Sequence, residues 1–233
     1  MNARKLTTEL DHVDIRRLEN ACAAAHDIGF KLNTLLTFAP FKDAPKNPSP
    51  DAVAANFGRL LRHVSMWVRR NTGDKQTSFL GCPFTYLRVC HANENGSDPH
   101  LHVFMHLPSD EHRKALQSAL LDVYGYHSCG LVAQVKVGSD TRIQHDSGWW
   151  GSTFDYMTRY MTQQAFVMLG MRVRRHARKD ENGKHVGIKA PFVGRRWSTS
   201  RNINANAQAA LQAAKAAMRG KARIAAERQR QAA

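Results

Sequence analysis

His100 and His102, separated by one apolar residue, stand in the run Asp98-Pro99-His100-Leu101-His102-Val103-Phe104-Met105-His106-Leu107-Pro108-Ser109. In an extended strand, residues two apart point the same way. His100, His102, Phe104 and His106 therefore share one face, and Leu101, Val103, Met105 and Leu107 the other. Two neutral imidazoles side by side on a strand are two ligands for a divalent cation. A half-buried strand whose solvent face is rich in histidine satisfies the same alternation, and this run alone does not separate the two readings. His106 is set apart by distance: at about 3.3 Å per residue it stands about 13 Å along the strand from His102, too far to share an ion.

A second group of reactive types lies about fifty residues on. Ser152 to Phe166 reads as a helix, with Ser152 or Thr153 as N-cap. Tyr156 and Tyr160 are four apart and emerge one turn apart on the same side. Two such tyrosines can simply be core, but Arg159 and Gln163 lie beside them and keep part of that face polar.

In this order and spacing, the histidine strand and the tyrosine helix resemble the HUH endonuclease superfamily, and most closely the rolling-circle replication initiators of small phages and plasmids. Tyr156-Met157-Thr158-Arg159-Tyr160 is similar to their Tyr-x-x-Lys-Tyr motif, with Arg159 in the place of lysine. Leu32-Asn33-Thr34-Leu35-Leu36-Thr37-Phe38 resembles their threonine-rich first strand. Gly194-Arg195-Arg196-Trp197-Ser198-Thr199-Ser200-Arg201-Asn202 resembles a basic Gly-Arg-x-Trp-x-x-Ser-Arg-Asn signature, so the likeness spans roughly residues 30 to 203.

The resemblance implies a metal-dependent, site-specific single-strand DNA nickase and strand transferase that starts rolling-circle replication through a 5′-phosphotyrosine. Mg2+ or Mn2+ held by His100 and His102 would polarise the scissile phosphate. Tyr156 would attack first and Tyr160 second, with Arg159 contacting phosphate or the tyrosinate. Arginine is not equivalent to lysine at such a site, which puts a proton-donor role in question. The family takes a third ligand, commonly glutamate, from the preceding strand, and by distance from His100 the matching position is His91. Strand parity objects, because His91 would share the apolar face of Leu87 and Val89 unless a bulge intervenes; Glu94, in the connecting turn, is the alternative. Arg195, Arg196 and Arg201 with Trp197 combine cations with an aromatic, a pairing that grips single strands, although Trp197 can equally plug the core edge. A transposase or mobilisation relaxase of the same superfamily, and a basic nucleic-acid-binding protein without catalysis, remain as rivals.

These residues need a scaffold, and the chain reads as one. His12 to Asp27 has helical spacing with Val13, Leu18, Cys22 and Ala25 on an apolar side and Gly29 closing it. A strand follows at about 31–38, a proline-rich loop at 40–50, and a core-packing helix from Pro50 to about Asn71. Strands at 84–92 and 100–107, a helix at Asp110–Tyr124, a strand at 131–137 and the tyrosine helix complete a β-α-β-β-α-β order with a further helix. The expected fold is α+β: an antiparallel sheet with helices on one face, the ferredoxin-like arrangement of the HUH palm. Arg172 to Gly187 reads as an exposed basic loop or hairpin. The expected organisation is an endonuclease domain over 1–203 and a basic Ala/Gln/Arg-rich tail over 204–233, helical or disordered, and solvent-exposed, frayed or ordered only on DNA.

The 233 residues carry a formal charge of +15, unevenly placed. From Met171 onward 16 Lys and Arg face three acidic residues, whereas the first 170 residues carry 18 against 16. That asymmetry is the footprint of a nucleic-acid partner, here expected to be single-stranded DNA at a replication origin. With no phosphate-binding loop and no room for a helicase domain, host helicase and polymerase are the further expected partners. No apolar run of about twenty residues and no signal-peptide pattern point to a membrane. Cys22, Cys82, Cys90 and Cys129 are scattered and read as reduced thiols, so a cytoplasmic setting in a bacterial host is expected.

Overall fold

Asp11, Ser49 and Ser109 each precede a helix, and each side chain accepts a hydrogen bond from the backbone N–H three residues on: Asp14 at 2.7 Å, Ala52 at 3.2 Å and His112 at 3.5 Å. These caps satisfy otherwise orphaned first-turn donors. They start α1 (His12–Asp27), α2 (Pro50–Asn71) and α3 (Asp110–Tyr124). α1 stops where Gly29, at φ 82°, lets the Phe30 N–H reach back to the Ala25 carbonyl at 2.9 Å. A computed structural model describes residues 6–7, 9–42, 48–72, 84–93, 97–127, 130–137, 152–158, 178–179, 181, 185–186, 192–193 and 196–232.

Five strands form the main sheet: β1 (Thr34–Phe38), β2 (Tyr86–His91), β3 (His100–Met105), β4 (Ala133–Val137) and β5 (Trp197–Thr199). Their order is β5-β2-β3-β1-β4, and every neighbouring pair is antiparallel. β1 and β2 are thus separated by β3, so α2 crosses over the sheet between them. Register follows from alternation: Leu36 lies opposite Val103, and Thr37 opposite His102. A slip by one residue would exchange the two faces wholesale.

The structure differs from the expectation of helices on one face only. α2 and α3 cover one side, where Val53, Phe57, Leu60, Val64, Leu116 and Leu120 pack on Leu36, Phe38, Leu101, Val103 and Met105. The other side is covered too. There Ile15, Leu18, Ala21, Cys22 and Ala25 of α1, Phe154 and Met157 of helix α4 (Ser152–Thr158; the remainder of the expected helix to Phe166 lies outside the described residues), and Ile203 pack on Leu87, Val89 and Phe104. The physical reason is that Leu87, Val89 and Phe104 give the histidine-bearing face enough hydrocarbon to bury. Val13, expected on the apolar side of α1, is 40% exposed, and Ile15 is buried instead.

The end of the chain is a helix, α5 (Ala205–Ala232). Its first turns touch the domain: Leu211 packs against the histidine-face core and Lys215 Nζ lies 2.6 Å from Asp27 Oδ2 of α1. Arg178–Lys179 pairs antiparallel with His185–Val186, as the hairpin reading expected. No described helix is long and apolar enough to cross a membrane.

Candidate metal centre

His91 and His100 face each other directly across β2 and β3, and His102 stands two residues further along the same face. The pairs continue Val89 with His102 and Leu87 with Phe104. His91 therefore does share the face of Leu87 and Val89, as parity required, but that face is the imidazole face itself. No bulge is needed. The objection dissolves because a face can be hydrocarbon at one end and imidazole at the other.

Ring centroids are 5.5 Å apart for His91 and His100, 4.6 Å for His91 and His102, and 5.0 Å for His100 and His102. One ligand nitrogen from each lies within 4.8 Å of the others. Bonds of about 2.1 Å to a common ion would need small further closure. His91 and His102 are fully buried and His100 is half-buried, so the cluster opens on the His100 side.

Each ring also has one nitrogen on an oxygen partner: His91 Nε2 at 2.8 Å from the Met157 carbonyl, His100 Nδ1 at 2.9 Å from the Asp98 carbonyl, and His102 Nδ1 at 3.0 Å from Thr37 Oγ1. A carbonyl only accepts, so Nε2 of His91 and Nδ1 of His100 carry the protons and the opposite nitrogens carry the lone pairs. This is how metal-ligating histidines are commonly oriented. The residues present fit a divalent ion, with Nδ1 of His91 and Nε2 of His100 and His102 as the natural donors.

Tyr156 of α4 meets this cluster. Its ring centroid lies 4.9 Å from that of His102 and 6.4 Å from that of His91. α4 is held by Phe154 and Met157, both buried in the sheet core, and Thr158 Oγ1 donates to the Phe154 carbonyl at 2.8 Å. Tyr156 itself is half-buried. The phenol thus stands between the buried imidazoles and the surface.

The other expected site residues divide. Arg159, Tyr160, Glu94 and Arg195 lie outside the described residues. Arg196, expected to grip DNA, is 2% exposed and its Nη1 donates to the Cys90 carbonyl at 3.3 Å. The correction has a structural cause: the signature around it is the edge strand β5 and its turn, where Cys90 N–H bonds Arg196 O, Ser200 N–H bonds Tyr86 O and Asn202 Nδ2 donates to Thr85 Oγ1. Trp197 is half-buried against the histidine-face core, and Arg201 is exposed. His106, set aside on distance, donates Nδ1–H to the Lys31 carbonyl at 2.8 Å and packs edge-on to Phe30. Cys22 and Cys90 are buried free thiols, and burial pushes that of Cys90 up to about 11.

Thr37 is the residue that sequence reasoning missed. It was part of a threonine-rich strand but had no role; alternation alone would have placed it on the face opposite Phe38, where a polar side chain among Leu35 and the imidazoles needs a partner. Searches against protein-family models, curated proteins and solved structures find no match.

Proposed function

We propose that this protein is a metal-dependent nickase and strand transferase acting on single-stranded DNA, with Tyr156 as nucleophile and His91, His100 and His102 as the metal ligands. The observation that carries the reading is the meeting of a phenol with three clustered imidazoles, two of them tautomer-fixed by carbonyls, the Tyr156 and His102 rings being 4.9 Å apart. The strand order β2-β3-β1-β4 with α2 and α3 on one face is that of ferredoxin-like folds, which supports the resemblance to the HUH palm. The expected role is initiation of rolling-circle replication.

A divalent ion at this centre supplies Lewis-acid neutralisation of the non-bridging phosphate oxygens. The chain's own residues do the rest. Tyr156 Oη forms a new ester bond to phosphorus, the bond to the 3′ oxygen breaks, the phenol gives up its proton and the departing 3′ oxygen takes one up. The imidazoles, held by Thr37, Asp98 and Met157, keep the geometry without reorganising. The half-buried positions of His100 and Tyr156 leave the side from which a strand approaches.

Incubation with Mn2+ and single-stranded oligonucleotides tiling the DNA that flanks the gene is expected to give a denaturation-resistant protein–DNA adduct. Tyr156→Phe should abolish it while leaving the protein folded. A shift of DNA mobility with no adduct under any sequence or metal would leave a binding protein and end the nuclease reading.

A further inference from the structure

His91 faces two ways. Its Nε2–H points to the Met157 carbonyl of α4 at 2.8 Å, and Nδ1 carries the lone pair toward the cluster with His100 and His102. Met157 is fully buried and directly follows Tyr156. The Phe154 and Met157 side chains also anchor α4, through apolar contacts in the core. Such contacts hold a helix down but have no direction. A hydrogen bond has one, so the bond from His91 constrains the placement of the tyrosine helix in a way that apolar contact alone does not.

We propose that His91 is a positioning residue that couples metal occupancy to the placement of the tyrosine helix. An ion at Nδ1 fixes the ring plane and polarises Nε2–H, which strengthens the bond to Met157 and holds Tyr156 beside the centre. In many metal sites the oxygen that orients a histidine belongs to an inert part of the scaffold; here it belongs to the segment that carries the phenol. The coupling is reciprocal: the docked helix must raise ion affinity by the factor by which the ion steadies the helix. The inference rests on the metal reading of the site given above.

Amide hydrogen exchange of the full chain, with and without Mn2+, tests it, with Mn2+ binding measured in parallel by calorimetry. In the wild type, Mn2+ should slow exchange in peptides covering 152–158 about tenfold, the effect of strengthening one hydrogen bond, and leave α2 unchanged. His91→Glu keeps a donor for the ion but has no N–H for the Met157 carbonyl. It should still bind Mn2+ and lose the slowing. His91→Gln, whose amide can donate to the carbonyl and offer its oxygen to the ion, should keep part of it. Mn2+ binding by the wild type without slower exchange at 152–158 overturns the coupling by itself, even if His91→Glu does not fold. Full slowing in a Mn2+-binding His91→Glu protein overturns it equally. Failure of the wild type to bind Mn2+ takes down the metal reading and the coupling with it.

Discussion

On the face covered by α2 and α3, the cross-strand row Val103, Leu36 and Val135 is hydrocarbon; one residue along each strand, on the opposite face, the row is His102, Thr37 and Gln134. Helices pack on both faces of the sheet, α2 and α3 on one and α1 and α4 on the other. Alternation therefore does not divide this sheet into a core face and a wet face, as in many antiparallel sheets. It divides it into a face that is largely apolar, with Thr34, Arg88 and Ser198 as polar members and Arg88 Nε donating to Ser198 Oγ at 2.6 Å, and one that changes from Leu87 and Phe104 to His91, His100 and His102 along its length. Polar groups buried at that end must be satisfied pairwise, and the carbonyl pairings that satisfy His91 and His100 also fix their tautomers. Burial and preorganisation are here the same requirement.

The contrast is broken most severely on the apolar side. Phe57, 2% exposed and edge-on to Phe38 at 6.2 Å between centroids, fills the layer beneath α2. Phe57→Ala should cost about 3–5 kcal/mol of stability, read from denaturant unfolding. Mn2+ affinity of the molecules that remain folded should be unchanged. A parallel loss of ion affinity would mean that the two faces do not work independently.

Next in size is His100→Ala. Removing one of three ligands should weaken Mn2+ binding at least about 100-fold, near 2.7 kcal/mol, whereas the metal-free protein, losing a half-buried side chain, should change in stability by no more than about 1 kcal/mol. If calorimetry finds the same Mn2+ affinity in this variant, the imidazole cluster is not where the ion sits.

The difference between the faces also explains what the sequence disclosed. α2, α3 and the histidine strand were legible because a helical or two-residue period survives when one side of an element is hydrocarbon: Val53, Phe57, Leu60, Val64 and Val68 are all buried as their spacing requires. The cover on the histidine face was not legible, since α1 buries alanines and a glutamate beside Ile15 and Leu18, and so carries a weaker pattern. His91 was within reach by distance, but its place rested on cross-strand register, which a single strand cannot supply. Arg196 misled for a related reason. A guanidinium in a basic run looks solvated, and only the pairing of β5 with β2 shows that it is turned inward.

Thr37→Val sharpens the comparison by making the polar row more like the apolar one. The substitution nearly keeps the shape of the side chain and removes the oxygen that meets His102 Nδ1 at 3.0 Å. Losing such an orienting partner should lower Mn2+ affinity about tenfold, near 1.4 kcal/mol, by the same calorimetry. Unchanged affinity would show that packing alone orients the ring.

An effect of similar size concerns the covers. α2 buries only hydrocarbon, whereas α1 buries Glu19, which is 4% exposed, has Arg16 Nη1 at 3.1 Å from Oε2, and has no hydrogen-bond partner at Oε1 among the described residues. Burial outweighs the Arg16 guanidinium and pushes the carboxyl up to about 7. Between its ordinary value of 4.5 and about 7 the folded chain thus holds this proton more tightly than the unfolded chain does. Stability attributable to Glu19 is accordingly greatest below that window, falls as pH rises through it, and levels off above. Glu19→Gln, which keeps the shape and drops the charge, should therefore be more stable than the wild type at pH 8 by about 1–2 kcal/mol, a figure reduced for residual solvation. Near pH 4.5 the two should unfold at the same denaturant concentration. A wild type more stable than the variant at pH 8 would mean that the attraction to Arg16 exceeds the cost of burying the charge, and that the cover of the histidine face tolerates ionised groups as the cover of the apolar face does not.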